Sequence, residues 1–359
     1  MDLRCENREL PVLVVYDVDA TWASHEVAEA TAETNRLVAA LRRRGHSVRP
    51  LPLPDTDLAA CLEPYDPEKY VVLNWCEGFP GVARSDHAVA TALEALQFTY
   101  TGATGEVMAL SRDKGAVKEL LRRRGLPTPD WRLVPEGERP DWDIYPAIVK
   151  PAYEHSSTGM TPRSVVLDPA ELAREVAAVH RKHRQPALVE EFIDGREFHV
   201  TLWGNGAIEM LPPAEMDFSA FADVRDRICS YDAKFTPTSD GYRRIRSLIP
   251  APLGDDELHR LRETCVAGYR ALGCRDYARL DVRLRDGEFQ ILDINPNADI
   301  SRDTSFACAA RLAGYSYGDL GSRIVRLAAL RHPVFGQWSE RPARPRDAST
   351  AQAPLRTNT

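Results

Sequence analysis

The segment FQILDINPNADIS, residues 289–301, decides the fold class and the place of the functional site. It opens with an apolar run typical of a buried strand, and that run leads directly into Asp293-Ile294-Asn295. Because side chains two positions apart in a strand point to the same face, Asp293 and Asn295 present a carboxylate and an amide on one side of the sheet. The pattern therefore predicts a strand end that carries polar ligand groups.

A second strand is predicted just upstream, at residues 277–283, and the Asp286-Gly287 dipeptide between the two strands is a hairpin signal. Pairing of the strands can bring Asp281 near Asp293 and Asn295. Two carboxylates and one amide oxygen are hard ligands suited to Mg²⁺ that is held together with substrate phosphates. The alternative for Asp-x-Asn alone is a polar strand end facing water. The prediction thus depends on whether the rest of a nucleotide site lies upstream.

Composition limits the class of protein. With 359 residues, 43% of them hydrophobic, the chain can bury a core and hold two or three domains. Its formal net charge of −7 argues against nucleic-acid binding, which usually needs a basic face. We expect no membrane span, because the sequence has no run of about 18 apolar residues. We also expect no signal peptide, because the N-terminus is charged and lacks an apolar segment. The seven cysteines form no C-x-x-C pair, which favours reduced thiols and a cytoplasmic location.

A series of motifs upstream supplies the remainder of a nucleotide site. In chain order they are YTGATG (100–105), SRDKGAVK (111–118), GLPTP (125–129), YPAIVKPAYEHSSTGM (145–160), ALVEEFIDGREFHV (187–200) and YDAKF (231–235). Their order and spacing resemble the ATP-grasp superfamily, and within it the D-alanine–D-alanine ligase-like branch. The resemblance runs from about residue 12 to about residue 330.

The resemblance implies an α/β protein with the ATP-grasp fold, in which an N-terminal parallel α/β domain precedes two α+β subdomains that sandwich ATP. Alternating strands and helices before residue 105 agree with a parallel sheet wrapped by helices. We expect an N-terminal substrate domain at 1–105, a small lid domain at 106–188 and a catalytic domain at 189–335. The tail at 336–359 nearly lacks apolar periodicity and is predicted to be disordered. One helix is predicted over about 112–124.

The resemblance also implies which residues hold the phosphates of ATP. Lys114 and Lys150 are compact cations suited to the α- and β-phosphates. Lys234 matches the lysine that clamps the terminal phosphates from a mobile loop. Ser156 and Ser157 lie in a small polar loop whose hydroxyl and backbone N–H groups can cover phosphate oxygens.

The same loop and residues 190–193, which match the family's adenine hinge, complete the expected nucleotide contacts. His155 stands where the family usually has glycine, which stiffens the loop and can place an imidazole near the γ-phosphate or the substrate. By resemblance, the Glu190 carboxylate accepts a hydrogen bond from the adenine amine, and backbone groups of Phe192 and Ile193 contact the ring edge. Glu197 matches the residue that binds the ribose hydroxyls.

The implied reaction is ATP-dependent ligation. A substrate carboxylate attacks the γ-phosphate to give an acyl phosphate and ADP, and an amine then expels phosphate. Arg279 and Lys234 are the expected catalytic residues, because Arg279 matches the arginine that stabilises the developing oxyanion. Asp281, Asp293 and Asn295 are the expected ligands of Mg²⁺, for which Mn²⁺ can substitute. An ion pair between Arg279 and Asp281 is the alternative for that arginine.

Substrate contacts are predicted both from positions that match the family's motifs and from positions that depart from them. The family's usual Asn-Pro-x-Pro-Gly is Asn-Pro-Asn-Ala-Asp here, so Asp299 replaces a glycine and can recognise a cationic group of a substrate. A glycine-rich loop at residues 74–84 faces the first substrate, and hydroxyls after the metal motif match those that hold the second. The candidate substrate residues are Glu26, Glu77, Arg84, Asp299, Thr304 and Ser305.

These patterns favour a cytoplasmic carboxylate–amine ligase that joins small amino-acid-like molecules. A peptide or specialised-metabolite ligase and a cell-wall D-alanyl-D-alanine ligase are both open. Ester formation stays an alternative because Phe235 replaces a common tyrosine, and a nucleotide-binding sensor without ligase activity is the alternative from another class. Relatives are commonly dimers, so a homodimer is a further expectation.

Overall fold

The computed structural model describes residues 9–19, 21–155 and 157–337. Ser156 and residues 338–359, most of the predicted tail, lie outside the described residues. The remaining two residues of that tail belong to a short 3₁₀ helix, Phe335–Gln337. Within the described ranges, no helix is both long enough and apolar enough to cross a membrane.

The first sheet is parallel, as the alternation of strands and helices predicts. Its elements are β1 (Pro11–Asp17), α1 (Ser24–Arg43), β2 (Ser47–Leu53), α2 (Leu58–Leu62), β3 (Val71–Asn74), α3 (Asp86–Ala95) and β4 (Thr99–Tyr100). The strand order is β2-β1-β3-β4 with every pairing parallel. Strand β1, PVLVVYD, is almost continuously apolar and buried, as expected for a parallel strand whose sheet is covered on both faces.

The second sheet is a small antiparallel one. The next elements along the chain are α4 (Gly105–Arg112), α5 (Lys114–Arg123), β5 (Trp131–Val134), β6 (Ala147–Pro151), β7 (Val165–Val166), α6 (Pro169–His183) and β8 (Ala187–Glu191). The strands pair in the order β5-β8-β6-β7. Helix α6 packs on this sheet through Leu172, Val176 and Val179, as its apolar spacing predicts.

The helix predicted over about 112–124 is confirmed as α5 (Lys114–Arg123), whose start is set by a cap at Asp113. This residue has an extended backbone, and its side chain accepts a hydrogen bond from the Ala116 N–H. Aspartate favours such a cap over a helix interior because its carboxylate satisfies an N–H group that the helix leaves free. Helices α4 and α5 therefore start in different directions, and α5 begins at Lys114.

The third sheet carries the segment 289–301. Its elements are β9 (Arg196–Trp203), β10 (Glu209–Met210), β11 (Ala214–Asp217), α7 (Tyr231–Phe235), α8 (Asp240–Arg244), β12 (Arg246–Leu248), α9 (Asp255–Leu272), β13 (Tyr277–Arg285) and β14 (Glu288–Pro296). The order is β12-β11-β9-β13-β14, and β10 pairs with β9. The predicted hairpin is confirmed: β13 and β14 pair antiparallel around Asp286 and Gly287, whose φ angles of 53° and 81° suit a two-residue turn.

Hydrophobic cores extend across the predicted domain boundaries. Helices α10 (Ser305–Leu312) and α11 (Tyr317–Ala329) fold back onto the first sheet, where Ile324 packs in one core with Val12 and Leu37. Helix α5 contributes Val117 and Leu121 to the core under the third sheet. The apolar faces of these helices are thus buried against elements distant in sequence, which local patterns do not specify. The intervals 1–105, 106–188 and 189–335 stay a prediction.

Candidate active site

A cleft of about 770 Å³ is lined by residues from all three sheets, a size that suits a small-molecule site. The described residues of the predicted nucleotide and metal sets all line it, and so do most candidate substrate residues. Ser156, predicted to cover the phosphates, lies outside the described residues. The fold therefore gathers into one cavity side chains that are spread over more than 200 positions of sequence.

The hairpin places the predicted metal ligands opposite one another, with Asp281 in register with Asp293 and Arg279 in register with Asn295. Arg279 donates from Nε to Asp281 Oδ1 over 2.7 Å and from Nη2 to Oδ2 over 2.9 Å. Asn295 Nδ2 donates to Asp281 Oδ2 over 3.4 Å. The ion pair between Arg279 and Asp281, an alternative at the sequence level, is therefore present.

Both metal-site carboxyl groups are held in their ionised form. Burial is the largest influence on Asp281 and would raise its pKa, but Arg279, with smaller contributions from His199 and Lys234, lowers it overall. Burial likewise opposes ionisation of Asp293, whose pKa is lowered most by Lys114, with Nζ 3.6 Å from Asp293 Oδ1. Two carboxylates and the oxygen of Asn295 are a donor set that fits a hard divalent cation.

Behind the phosphate lysines lies an ion-pair group that sequence reasoning missed. Lys150 Nζ lies 3.4 Å from both oxygens of Glu190, and Lys118 Nζ lies 3.1 Å from Glu190 Oε2. Lys118 is 1% exposed and also donates to Thr128 Oγ1 over 3.0 Å. The available signal was spacing: Lys118 follows Lys114 by four residues and shares its helix face.

The predicted ribose residue Glu197 is paired with an arginine that sequence reasoning also missed. Arg283 Nε donates to Glu197 Oε2 over 2.8 Å, and Arg283 Nη1 donates to the Ile193 carbonyl over 2.7 Å. The guanidinium lies 4.5 Å from the Phe192 ring centre. Burial opposes ionisation of Glu197, yet Arg283 and the neighbouring His199 hold its pKa well below the usual range. The signal was alternation, because Arg283 follows Arg279 and Asp281 on one strand face.

Part of the adenine hinge is already hydrogen-bonded within the protein. The Phe192 N–H donates to the Pro146 carbonyl over 2.9 Å, and the Ile193 carbonyl accepts from both Arg283 and the Gly195 N–H. These two groups are therefore poor candidates for the ring-edge contacts expected of Phe192 and Ile193. The hinge is instead fixed in shape before a ligand binds.

Glu197, His199 and Cys229 offer ligand atoms that all lie within 4.8 Å of one another. Glu197 Oε1 lies 3.7 Å from His199 Nε2. Burial raises the pKa of the Cys229 thiol well above its usual value, so the thiol is protonated at neutral pH. Because Arg283 already brings a cation to Glu197, we assign the cluster to the packing of the nucleotide site.

The loop after β6 reaches the phosphate side of the cleft. Burial, followed by the charges of Lys114 and Arg112, lowers the pKa of His155 to about 4, so its imidazole is neutral at pH 7. Ser157 adopts a φ of 59° and its Oγ donates to the Cys229 carbonyl over 2.8 Å. The hydroxyl expected on a phosphate thus ties the loop to the segment before α7.

Lys234 lies on α7 at the mouth of the cleft, where its charge contributes to lowering the pKa of Asp281. Beside it, Tyr231 and Phe235 are exposed and contact each other with ring centres 4.8 Å apart. The expected clamp residue is therefore present, on a short helix with two unburied aromatic rings.

The predicted substrate residues are held more loosely than the nucleotide residues. Thr304 caps α10 by accepting from the Ala307 N–H, and its Oγ1 donates to the Ser301 carbonyl; Ser305 begins that helix and also lines the cleft. Asp299 accepts from the backbone and side chain of Ser301 and is exposed. Its carboxylate is therefore solvated, although the residue lines the cleft.

The first-substrate loop contributes Glu77 and Arg84, and β3 adds the buried Asn74, whose Nδ2 has no hydrogen-bond partner among the described residues. The Glu77 side chain is exposed to solvent, yet protein atoms crowd around its carboxyl group. This crowding, with the charges of Asp17 and Asp299, raises the pKa of Glu77 to about 7. The Glu77 N–H donates to Asp17 Oδ1 over 3.1 Å, which fixes the loop.

Glu26 is not where the substrate prediction requires it. It is exposed, lies outside the cleft lining and accepts from the Ala23 N–H over 2.7 Å. A glutamate at the third position of a helix forms the reciprocal half of a capping box, so its role here is to begin α1.

Comparison with known proteins agrees with this fold and cleft. The family described as "D-ala D-ala ligase C-terminus" matches residues 120–326. A D-alanine–D-alanine ligase of Desulforudis audaxviator is 31% identical over 311 residues, which cover 84% of this chain and 95% of that protein. An uncharacterized protein, y4sG, of Sinorhizobium fredii is 34% identical over 319 residues, 87% of this chain and 90% of its own. The crystal structure of a Bacillus anthracis D-alanine–D-alanine ligase complexed with ATP superposes with a TM-score of 0.69 at 22% identity, covering 89% and 97% of the two chains.

The fold and the cleft define an ATP-grasp protein, as the motifs predicted. More narrowly, the chain belongs to the D-alanine–D-alanine ligase family. The expectation of an ATP-dependent enzyme that joins a carboxylate to an amine is thereby confirmed.

Proposed function

We propose that the protein joins two amino-acid-like substrates through an acyl phosphate and releases ADP and phosphate. The observation that carries this proposal is the strand-end set Arg279, Asp281 and Asp293 in one cleft with Lys114 and Lys150. Such a set can position a triphosphate beside a carboxylate nucleophile, which is most of what phosphoryl transfer requires of a protein.

ATP binds with its adenine against the hinge at β8 and its phosphates near Lys114 and Lys150. Glu190 accepts from the adenine amine and Glu197 from the ribose hydroxyls. Lys234 reaches the terminal phosphates when the segment around α7 closes, and closure excludes water from the reactive intermediate.

Asp281, Asp293 and Asn295 would hold Mg²⁺ or Mn²⁺. Arg279 occupies both oxygens of Asp281, whereas Asp293 makes a single ion pair, with Lys114 at 3.6 Å. When bound, the cation neutralises charge on the transferred phosphoryl group. Arg279 is directed by Asp281 and stabilises the oxyanion that forms when the amine attacks.

Identity of the substrates is the finer part of the proposal. The relatives named D-alanine–D-alanine ligase support an amino acid at each subsite. The acidic pair Glu77 and Asp299 favours at least one substrate with a cationic group beyond what two alanines supply, and so a peptide or specialised-metabolite ligase. Ester formation is the second candidate, because the exposed Phe235 has no phenol to offer.

An isotope experiment tests the mechanism. A substrate carboxylate labelled with ¹⁸O should transfer one label to inorganic phosphate, because the bridging oxygen of the acyl phosphate comes from the carboxylate and leaves with the phosphate when the amine attacks. A panel of D- and L-amino acids and matching hydroxy acids, followed by ADP release, identifies the substrates. Label that appears in AMP would contradict the acyl phosphate and indicate adenylation.

We also infer a homodimer, from the family resemblance, and a cytoplasmic setting, from the cysteine pattern. Light scattering at micromolar concentration tests the dimer, since a monomer of 40.1 kDa and its dimer are readily separated. Free thiols at Cys61, Cys76, Cys229, Cys265, Cys274 and Cys308 agree with a reducing environment.

A further inference from the structure

Two lysines share one buried carboxylate at the back of the nucleotide cleft. Glu190 contacts Lys118 through Oε2 at 3.1 Å and Lys150 through both oxygens at 3.4 Å. The Glu190 side chain is 1% exposed, so water cannot replace either cation as its partner. Removal of both cations would leave a buried carboxylate without compensation, which is strongly unfavourable.

The two lysines are not equivalent. Lys150 lines the cleft, is 11% exposed through its side chain and makes the longer contacts. Lys118 is absent from the cleft lining, and its side chain is 2% exposed. Its ammonium is anchored by Thr128, whose Oγ1 in turn donates to the Ile291 carbonyl over 2.8 Å. Lys118 is therefore fixed behind Glu190, while Lys150 is the cation that can turn towards a ligand.

The anchor ties the adenine wall to the strand that carries the metal ligands. Ile291 lies on β14 two positions before Asp293, and its N–H donates to the Pro127 carbonyl over 2.9 Å. Pro127 and Thr128 thus join the segment after α5 to both backbone groups of Ile291 on β14. This short chain of hydrogen bonds holds the Lys118 ammonium in a fixed position relative to β14, the strand that carries Asp293 and Asn295.

We propose that Lys118 is a positioning residue that holds the Glu190 carboxylate in place while Lys150 leaves it for a phosphate of ATP. The proposal rests on the proposed nucleotide site. When a triphosphate enters, Lys150 exchanges a carboxylate oxygen for a phosphate oxygen, and Glu190 retains Lys118 as its counter-ion. Without Lys118, Lys150 would be the remaining direct cationic partner of Glu190 and would be held away from the phosphates.

The test is a pair of variants whose effects oppose each other. Lys118→Met should weaken binding of a non-hydrolysable ATP analogue by about 10- to 100-fold, the size expected when a charged contact is lost. Adding Glu190→Gln should restore affinity to within a few-fold of the wild type, because a neutral amide no longer captures Lys150. A merely structural role of Lys118 predicts that the second substitution adds damage. Lys182→Met, at an exposed position of α6, is the matched control.

Calorimetry decides between the outcomes, with the wild type measured first. Tight wild-type binding and an unaffected Lys118→Met variant, or a double variant no tighter than the single one, would overturn the role of Lys118 alone. A wild type that does not bind the analogue would remove the nucleotide site as well. If Lys118→Met does not fold, Thr128→Val keeps the charge but removes its anchor and should weaken binding a few-fold; unchanged affinity would overturn the proposal.

Discussion

The two ends of the cleft are built differently. At the nucleotide end, charged groups are paired with one another and all but Asp293, which is half-buried, are buried: Lys118 with Glu190, Arg283 with Glu197, and Lys114 with Asp293. At the substrate end, Asp299 is exposed, and Arg84 makes one ion pair at 3.9 Å with Glu154. The nucleotide end is therefore pre-organised, whereas the substrate end consists of capped loops and helix starts.

The contrast follows from how each end holds its charged groups. A buried ion pair is costly to break, so its geometry is retained with the fold. Exposed charges on loops contribute little stability and can change with less effect on folding. We therefore expect substitutions at the nucleotide end to act strongly on any substrate pair. Substitutions at the substrate end should act weakly and selectively.

The largest effect is expected at the metal ligands. Asp293→Ala should lower ADP release by about 100-fold or more, because a bound metal supplies several kcal/mol of charge stabilisation. The fold should persist, since Asp293 lies at a strand end and makes a single ion pair with Lys114 at 3.6 Å. Turnover is followed by ADP release at saturating Mg²⁺, with Asp256→Ala on the exposed start of α9 as control. Wild-type-like turnover would remove Asp293 from the metal site.

The next effect concerns nucleotide affinity. Lys150→Ala should weaken ATP binding by about 10- to 100-fold, the value of a charge-assisted hydrogen bond of roughly 1.5–3 kcal/mol. Glu190 keeps Lys118 in this variant, so no buried charge is left alone. Calorimetry with the exposed Lys69→Ala as control measures the change. Unchanged affinity would show that Lys150 stays on Glu190 when ATP binds.

A smaller, pH-dependent effect is expected at Glu77. Because its pKa is raised to about 7, Glu77 is largely protonated below that pH and ionised above it. For a cationic substrate, kcat/KM should therefore rise with pH through about 7. The rise should be about two- to fivefold, because solvent screens an exposed ion pair. Glu77→Gln should lose this limb of the pH profile, while Glu63→Gln, at an exposed site of the same domain, should keep it. An identical profile in Glu77→Gln would assign the titration to another group.

The smallest effect is expected at Asp299. Because the carboxylate is exposed, Asp299→Gly should lower kcat/KM for a cationic substrate by only about twofold and relax selection towards alanine to a similar extent. Asp299→Asn separates charge from loop shape, because an amide can still accept from Ser301. The measurement is a parallel panel of D- and L-amino acids. If D-alanine already serves the wild type well as both substrates, Asp299 does not set selectivity.

Local chemistry explains why much of the fold was predictable. The hairpin β13–β14 needs a two-residue turn with positive φ at both positions, and Asp286-Gly287 supplies it. Helix α9 occupies Asp255–Leu272, since acids begin it and Gly273, with φ 82°, ends it. The helix predicted over about 112–124 is present as α5, and a local signal, the cap at Asp113, sets its first residue at Lys114.

The sequence by itself determined the elements, their polar strand ends and the family motifs, because turn chemistry, caps and the two-residue period act within a few positions of the chain. Tertiary structure alone decided the partners of those groups. Lys118 meets Glu190 across 72 positions and Arg283 meets Glu197 across 86, through the packing of α5 and of β9 against β13. It also left Asp299 in solvent, whereas the helix cap made by Glu26 is a local contact with Ala23, three positions away. Burial determines how strongly a charged side chain interacts and with which partners. Burial in turn depends on segments distant in sequence, which local patterns do not specify.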